Sequence, residues 1–144
     1  MPTARIHRAL SEIPAADWDA LHDGRNPFVA HAFLSGLEDT GSLRARYGWS
    51  PRHLTVWDGG ALVAAAPGYL KANSHGEFVF DHAWAHAYAR SGMDYFPKWL
   101  CAVPYTPVTG PRLLATGAAH RHRLLEAMRA LCAIDFSSAH INLH

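Results

Sequence analysis

No stretch of this sequence is long and apolar enough to cross a membrane as a helix, which takes ~20 predominantly apolar residues. The first residues, MPTARIHRALSEIPAADWDAL, lack the apolar core and small-residue cleavage site of a secretion signal. Cysteine is scarce. Cys101 and Cys132 both sit in apolar stretches, which reads as buried thiols in a reducing compartment and not as a disulfide framework. Neither sign of charge dominates: thirteen Lys and Arg face twelve Asp and Glu, for a formal net charge of +1. A chain so nearly neutral is not built for general nucleic-acid binding, where affinity rests on many phosphate contacts, although a local basic patch stays compatible with it. Internal repeats, low-complexity tracts and flexible linkers are missing too. A cytoplasmic protein is the plain expectation.

What is present is the composition of an ordinary globular chain, 49% hydrophobic and 17% charged over 144 residues. That length holds one domain with a real core and is short for two. The pattern predicts a first strand over 4–9, then a helix after Pro14 with Trp18 and Leu21 on one face. Asp23-Gly24-Arg25-Asn26-Pro27 breaks the chain before a second helix, whose inner face carries Phe33, Leu34 and Leu37. The period then changes. Strands are expected at His53–Asp58 and Ala61–Ala66 around the hairpin signal Asp58-Gly59-Gly60, with Tyr69 and Leu70 extending the second past Pro67-Gly68. Glu77–Phe80 reads as the third strand of that meander.

Asp81 is placed to cap a helix over 82–90, and Gly92 to stop it. Trp99–Val103 reads as a buried strand, followed by a proline-rich loop. Leu124, Leu125, Met128, Leu131 and Cys132 trace a helical stripe, and Ala139–Leu143 a last strand. The fold class is therefore α/β in the broad sense (α+β), with a mixed, largely antiparallel sheet flanked by helices. A strand closing on Asn142-Leu143-His144 suggests an incomplete fold, the N-terminal portion of something longer.

Three segments together carry a resemblance. Asn26-Pro-Phe-Val-Ala-His-Ala-Phe-Leu-Ser-Gly-Leu-Glu38 resembles the early helix of FemAB-like proteins, a family associated with peptidoglycan biosynthesis or recognition. Asn73-Ser-His-Gly-Glu-Phe-Val-Phe-Asp-His-Ala-Trp84 looks like its central signature. Tyr95–Leu100 and Val103–Leu114 look like a third block, and Ser137–His140 like a further strand. The resemblance implies an acyl-CoA N-acyltransferase-like fold, and acyl or aminoacyl transfer to an amine as the activity. It implies acyl-CoA or aminoacyl-tRNA as donor substrate and no tightly bound cofactor. It carries over no catalytic residue. The near-neutral charge weighs mildly against a large tRNA interface. A non-catalytic module recognising a cell-wall precursor or peptide is the alternative.

Amine acylation needs alignment, a group to take the amine proton, and donors for the developing oxyanion. Glu77 is the candidate base, or else an exposed strand carboxylate. Asp81 is a second carboxylate, or simply the helix cap. Thr109-Gly110-Pro111-Arg112 is the candidate anion-handling loop, with Arg112 as a bidentate contact or as a surface arginine on a turn. Lys98 could orient a carboxylate or phosphate, or be solvated. Tyr69, Tyr95 and Tyr105 are cleft-lining or packing tyrosines. His82 and His86 have a two-ligand spacing, but Ala83 stands where a H-E-x-x-H motif needs Glu, so no metal site is expected. Cys101 has no neighbour to activate it, and no nucleophile elbow or P-loop is present. An open last strand points to a homodimer that completes the sheet.

Overall fold

The computed structural model describes residues 2–77, 81–132 and 138–142. Within them lie eight short strands in two four-stranded sheets, and four α-helices. The first sheet contains β1 (Thr3–His7), β3 (His53–Asp58), β4 (Ala61–Ala66) and β7 (Leu114–Ala115), in the order β1-β3-β4-β7 and antiparallel throughout. The second contains β2 (Trp49–Pro51), β5 (Gly68–Lys71), β6 (Lys98–Cys101) and β8 (Ala139–Ile141), in the order β2-β5-β6-β8. There β8 runs parallel to β6, and the other pairs are antiparallel.

One long hairpin ties the two sheets together. Its tip is Asp58-Gly59-Gly60, where both glycines hold positive φ (60° and 84°), the conformation a tight two-residue turn demands. Its two arms run as β3 and β4 in the first sheet and as β2 and β5 in the second. The change of sheet falls at Arg52 and Pro67, where proline has no N–H to give the ladder. Arg52 N–H bonds Gly68 O at 2.8 Å across the break, and Ala102 N–H bonds Pro67 O at 3.3 Å. The sheet read from the sequence is thus divided in two.

Three apolar clusters fill the layers. On one face of the first sheet, Leu10, Ile13, Trp18, Leu21, Val29 and Leu34 close on Leu62, Ala65 and Leu114. They come from α1 (Ala15–Asp19), α2 (His31–Asp39) and the turns around them. On the other face α4 (Ala118–Cys132) sets Leu124 and Met128 against Leu54, Val56, Ala64 and Ala66, the stripe the helical spacing announced. A third cluster, Leu43, Trp49, Tyr69, Leu100 and Ala102, belongs to the second sheet.

Of the meander's expected third strand, residues 78–80 lie outside the described residues; the neighbours of β5 are β2 and β6. Leu143 of the last strand also lies outside them. β2 and β7, of three and two residues, are additions to the sequence reading. Between them β5, β6 and β8 bring Lys71, Lys98 and His140 to one end of the second sheet, next to α3 (His82–Arg90).

Candidate functional site

Lys71 and Lys98 are the only lysines in the sequence. They are register partners on β5 and β6, and both are buried, at 0% and 1% exposure. Lysine almost never goes inside unless paired, so the whole lysine content of the chain converging on one buried spot makes it the candidate site.

Lys98 Nζ donates to Glu77 Oε1 at 2.9 Å, to Asp81 Oδ2 at 2.5 Å and to Ser74 Oγ at 3.3 Å. Lys71 Nζ donates to His75 O at 2.7 Å, lies 3.9 Å from Glu77 Oε2 and stands 3.7 Å from the centroid of the Trp49 ring. Tyr95 Oη donates to Asp81 Oδ2 at 2.6 Å. His140 completes the cluster, its Nε2 at 2.7 Å from Ser138 Oγ and 3.4 Å from Tyr95 Oη. Glu77, Asp81 and Tyr95 are all buried.

The two carboxylates share Lys98 yet are pushed in opposite directions. Burial raises the Glu77 carboxyl above the usual glutamate range, against the pull of Lys98 and Lys71. Burial would raise Asp81 as well, but the donors Lys98, Ser74 and Tyr95 and the charge of Lys98 hold it far below the usual range. Lys71 is pushed down to about 8, chiefly by burial, with Lys98 adding to the effect and Glu77 opposing it. The Tyr95 phenol is raised by burial and by its bond to Asp81, and His140 is lowered by burial and then by Lys98. Environments that split like groups in this way are how a fold assigns acid and base roles. One oxygen of each carboxylate, Glu77 Oε2 and Asp81 Oδ1, has no hydrogen-bond partner among the described residues. Trp49 Nε1 and Tyr69 Oη are in the same condition.

Several expectations change here. Glu77 is no exposed strand carboxylate, and Lys98 is not solvated. Asp81 does stand at the N-cap position of α3, but its side chain makes no cap bond; Lys98 and Tyr95 both bond its Oδ2 instead. Lys71 and His140 were not read from the sequence; the scarcity of lysine was the signal for the first, and nothing local marks the second.

The other predicted residues lie on the loop between β6 and β7. Tyr105, 40% exposed, donates its hydroxyl to Ser42 O at 3.2 Å. Its N–H donates to Gly76 O at 3.1 Å, which ties the loop to the residue before Glu77. Arg112 is buried, not on the surface. Its guanidinium donates to Val108 O at 2.7 Å and Pro111 O at 3.1 Å, anchoring the loop that holds Thr109 and Gly110, and its Nε has no partner among the described residues. Arg112 is not brought to the lysine cluster by any of these bonds.

A second buried polar centre lies in the core between α2 and β3. His53 Nε2–H donates to Glu38 Oε2 at 2.7 Å while its Nδ1 accepts the Gly68 N–H at 3.2 Å. Glu38 Oε1 accepts the Leu10 N–H at 2.9 Å, and His31 Nε2 lies 2.8 and 2.9 Å from Leu10 O and Ile13 O. Burial lowers His53 below the usual histidine value although Glu38 opposes it.

Outside both centres, a cleft of about 550 Å³ opens between α3 and residues 92–96. Ala85, Ala89, Met93, Tyr95 and Phe96 line it, and Tyr95 is also a wall of the lysine cluster. Among the described residues no group of three His, Cys, Asp or Glu is placed to hold a metal ion, and no helix is long and apolar enough to cross a membrane.

No curated protein and no solved structure matches this chain. A family model does, that of the FemAB-like proteins, described as peptidoglycan biosynthesis/recognition, over residues 9–144. The match takes in the lysine cluster, the aromatic loop beside it and the buried histidine centre alike, and the chain therefore belongs to the FemAB-like family of peptidoglycan biosynthesis or recognition.

Proposed function

We propose that this chain carries the proton-handling site of a transferase that joins an acyl or aminoacyl group to an amine in peptidoglycan metabolism. One observation carries the reading. A glutamate raised by burial turns an unbonded oxygen toward a lysine lowered to about 8, with 3.9 Å between them. General bases and acids work best when tuned toward neutral pH, and these two are tuned toward each other.

The chemistry is direct, with no covalent enzyme intermediate. The amine nitrogen bonds to the acyl carbon, and the carbon's bond to the donor's sulfur or ester oxygen breaks. Glu77 Oε2 takes the surplus amine proton. The Lys71 ammonium gives a proton to the leaving thiolate or alkoxide and is restored from Glu77. Lys98 keeps Asp81 ionised, and Asp81 orients the Tyr95 hydroxyl. The donor is acyl-CoA or an aminoacyl-tRNA, and the acceptor an amine on a small molecule or peptide. Tyr105, Thr109, Gly110 and Arg112 form the neighbouring loop, whose part is to shape the donor side.

The test is amine acylation by the wild-type chain and by Glu77→Gln, with acetyl-CoA and an aminoacyl-tRNA tried separately as donors. Loss of a positioned general base costs about 10²–10⁴-fold in rate. Unchanged turnover in Glu77→Gln removes Glu77 as base. Calorimetry with acetyl-CoA separates the two donors. The α3 cleft favours a second reading, a recognition module for a peptide or precursor, in which ligand binds there and Glu77→Gln changes little. Among the described residues β8 is an edge strand of its sheet, so a homodimer would form by pairing through it, and sedimentation velocity reads the mass directly.

A further inference from the structure

Tyr105 has the least comfortable backbone in the described chain. It alone, among described residues other than glycine, has a positive φ, at 58°. That conformation costs an L-residue roughly 1–2 kcal/mol, and strain of this kind clusters at functional sites. Burying the ring does not explain it, because Tyr105 is 40% exposed.

What the conformation achieves is a grip on the residue before Glu77. The Tyr105 N–H donates to Gly76 O at 3.1 Å, and the hydroxyl fastens the far end of the ring to Ser42 O. Gly76 has φ of 78°, and a Cβ added there would lie 2.6 Å from Tyr105 Cε1 and 3.2 Å from Trp49 Cζ2. Its α-carbon is thus pinched between two aromatic rings, whose centroids are 5.4 Å apart. Trp49 in turn takes the Lys71 ammonium against its ring face, a cation–π contact. The same two rings therefore touch both sides of the pair: Glu77 through Gly76, and Lys71 through Trp49.

We propose that Tyr105 is a positioning residue, whose left-handed backbone and ring hold Gly76 and Trp49 so that Glu77 and Lys71 face each other away from water. The arrangement of the pair does not depend on the transferase reading; only its catalytic consequence does. Without the ring, Gly76 and Trp49 separate, water reaches the pair, and Lys71 recovers the hydration it lacks. The charged groups around Lys71 are Glu77, Asp81 and Lys98, and the substitution removes none of them.

The measurement is a pH titration of the full chain labelled with [13Cε]lysine. Two lysines give two side-chain signals, and Lys71→Arg assigns them. In the wild type Lys71 titrates near 8. In Tyr105→Ala its midpoint moves up by about one unit or more, toward the ordinary ~10.4. In Tyr105→Phe, which keeps the ring and the backbone N–H, it stays at the wild-type value. Should Tyr105→Ala fail to fold, Gly76→Ala displaces the ring from the other side and moves the midpoint in the same direction. An unchanged midpoint in a folded Tyr105→Ala or Gly76→Ala chain overturns the proposal, as does a wild-type midpoint already at the ordinary lysine value. Full turnover in Glu77→Gln sinks the transferase reading and leaves this result standing.

Discussion

Among the buried polar centres of the described residues, the histidine centre and the lysine centre differ in how their atoms are bonded. At the histidine centre both nitrogens of His53 and both oxygens of Glu38 have partners, and those partners are backbone groups or each other. Such a network fixes one arrangement of α2 against β3. At the lysine centre two ammonium groups and two carboxylates are packed together, yet Glu77 Oε2 and Asp81 Oδ1 accept no hydrogen bond among the described residues. A buried acceptor left open is costly, and native structures keep few of them. The closed His53–Glu38 pair fits a structural role, and the open carboxylate oxygens fit the proposed chemistry.

The largest effect expected is at Lys98. Lys98→Met leaves two carboxylates buried without their shared cation and destabilises the fold by about 3–5 kcal/mol. Adding Glu77→Gln and Asp81→Asn restores most of that loss, because the charges then disappear together. Urea unfolding of the single and triple variants checks both claims.

At the histidine centre, Glu38→Ala strands the His53 and Leu10 N–H groups, and unfolding free energy drops by about 1.5–3 kcal/mol. The proposed transfer activity, measured per folded molecule, is expected to stay at the wild-type level. A selective loss of activity in Glu38→Ala would erase the distinction between the two centres.

The lysine centre also has a pH signature. Folded Lys71 loses its proton near 8, while an unfolded lysine keeps it to ~10.4. Between those values the unfolded chain binds the extra proton, so this group makes stability rise with pH. Asp81 acts at the acid end. Its folded carboxyl is depressed, so it contributes stability above the ordinary aspartate value of ~3.9, which is lost as pH falls below that value. Comparing the stability profiles of Lys71→Met and Asp81→Asn with the wild type isolates each slope. The smallest effect is at the rim, where Ser138→Ala removes the close partner of His140 and costs about 0.5–1.5 kcal/mol by thermal unfolding.

Much of this was legible in the sequence, for reasons that can be named. The Asp58-Gly59-Gly60 turn and the α4 stripe are strong local signals, and both elements form as read. The sequence singles out Glu77, Asp81, Lys98 and Arg112 as lying near a site; the fold brings the first three together and bonds Arg112 to Val108 and Pro111 instead. The roles of Asp81 and Lys98 were harder, since cap chemistry and solvation are local defaults that a tertiary partner overrides. Lys71 and His140 reach the site only because β5, β6 and β8 are neighbours, and strand order is not written in any one segment. β2 and β7 were missed because two or three residues, one of them Pro51, give no alternation to read. Glu38 and His53 look unremarkable in sequence; fifteen residues apart, they meet only when α2 lies across β3.

Burial holds Glu77 in an environment that favours its uncharged form despite its two lysines. Carboxyl 13C NMR of glutamate-labelled chain tests it without any substrate, with the signal absent from Glu77→Gln assigned to Glu77. This carboxyl is expected to titrate above the ordinary ~4.3 of glutamate. A midpoint at or below that value would make Glu77 a plain salt-bridge partner and remove the proposed base.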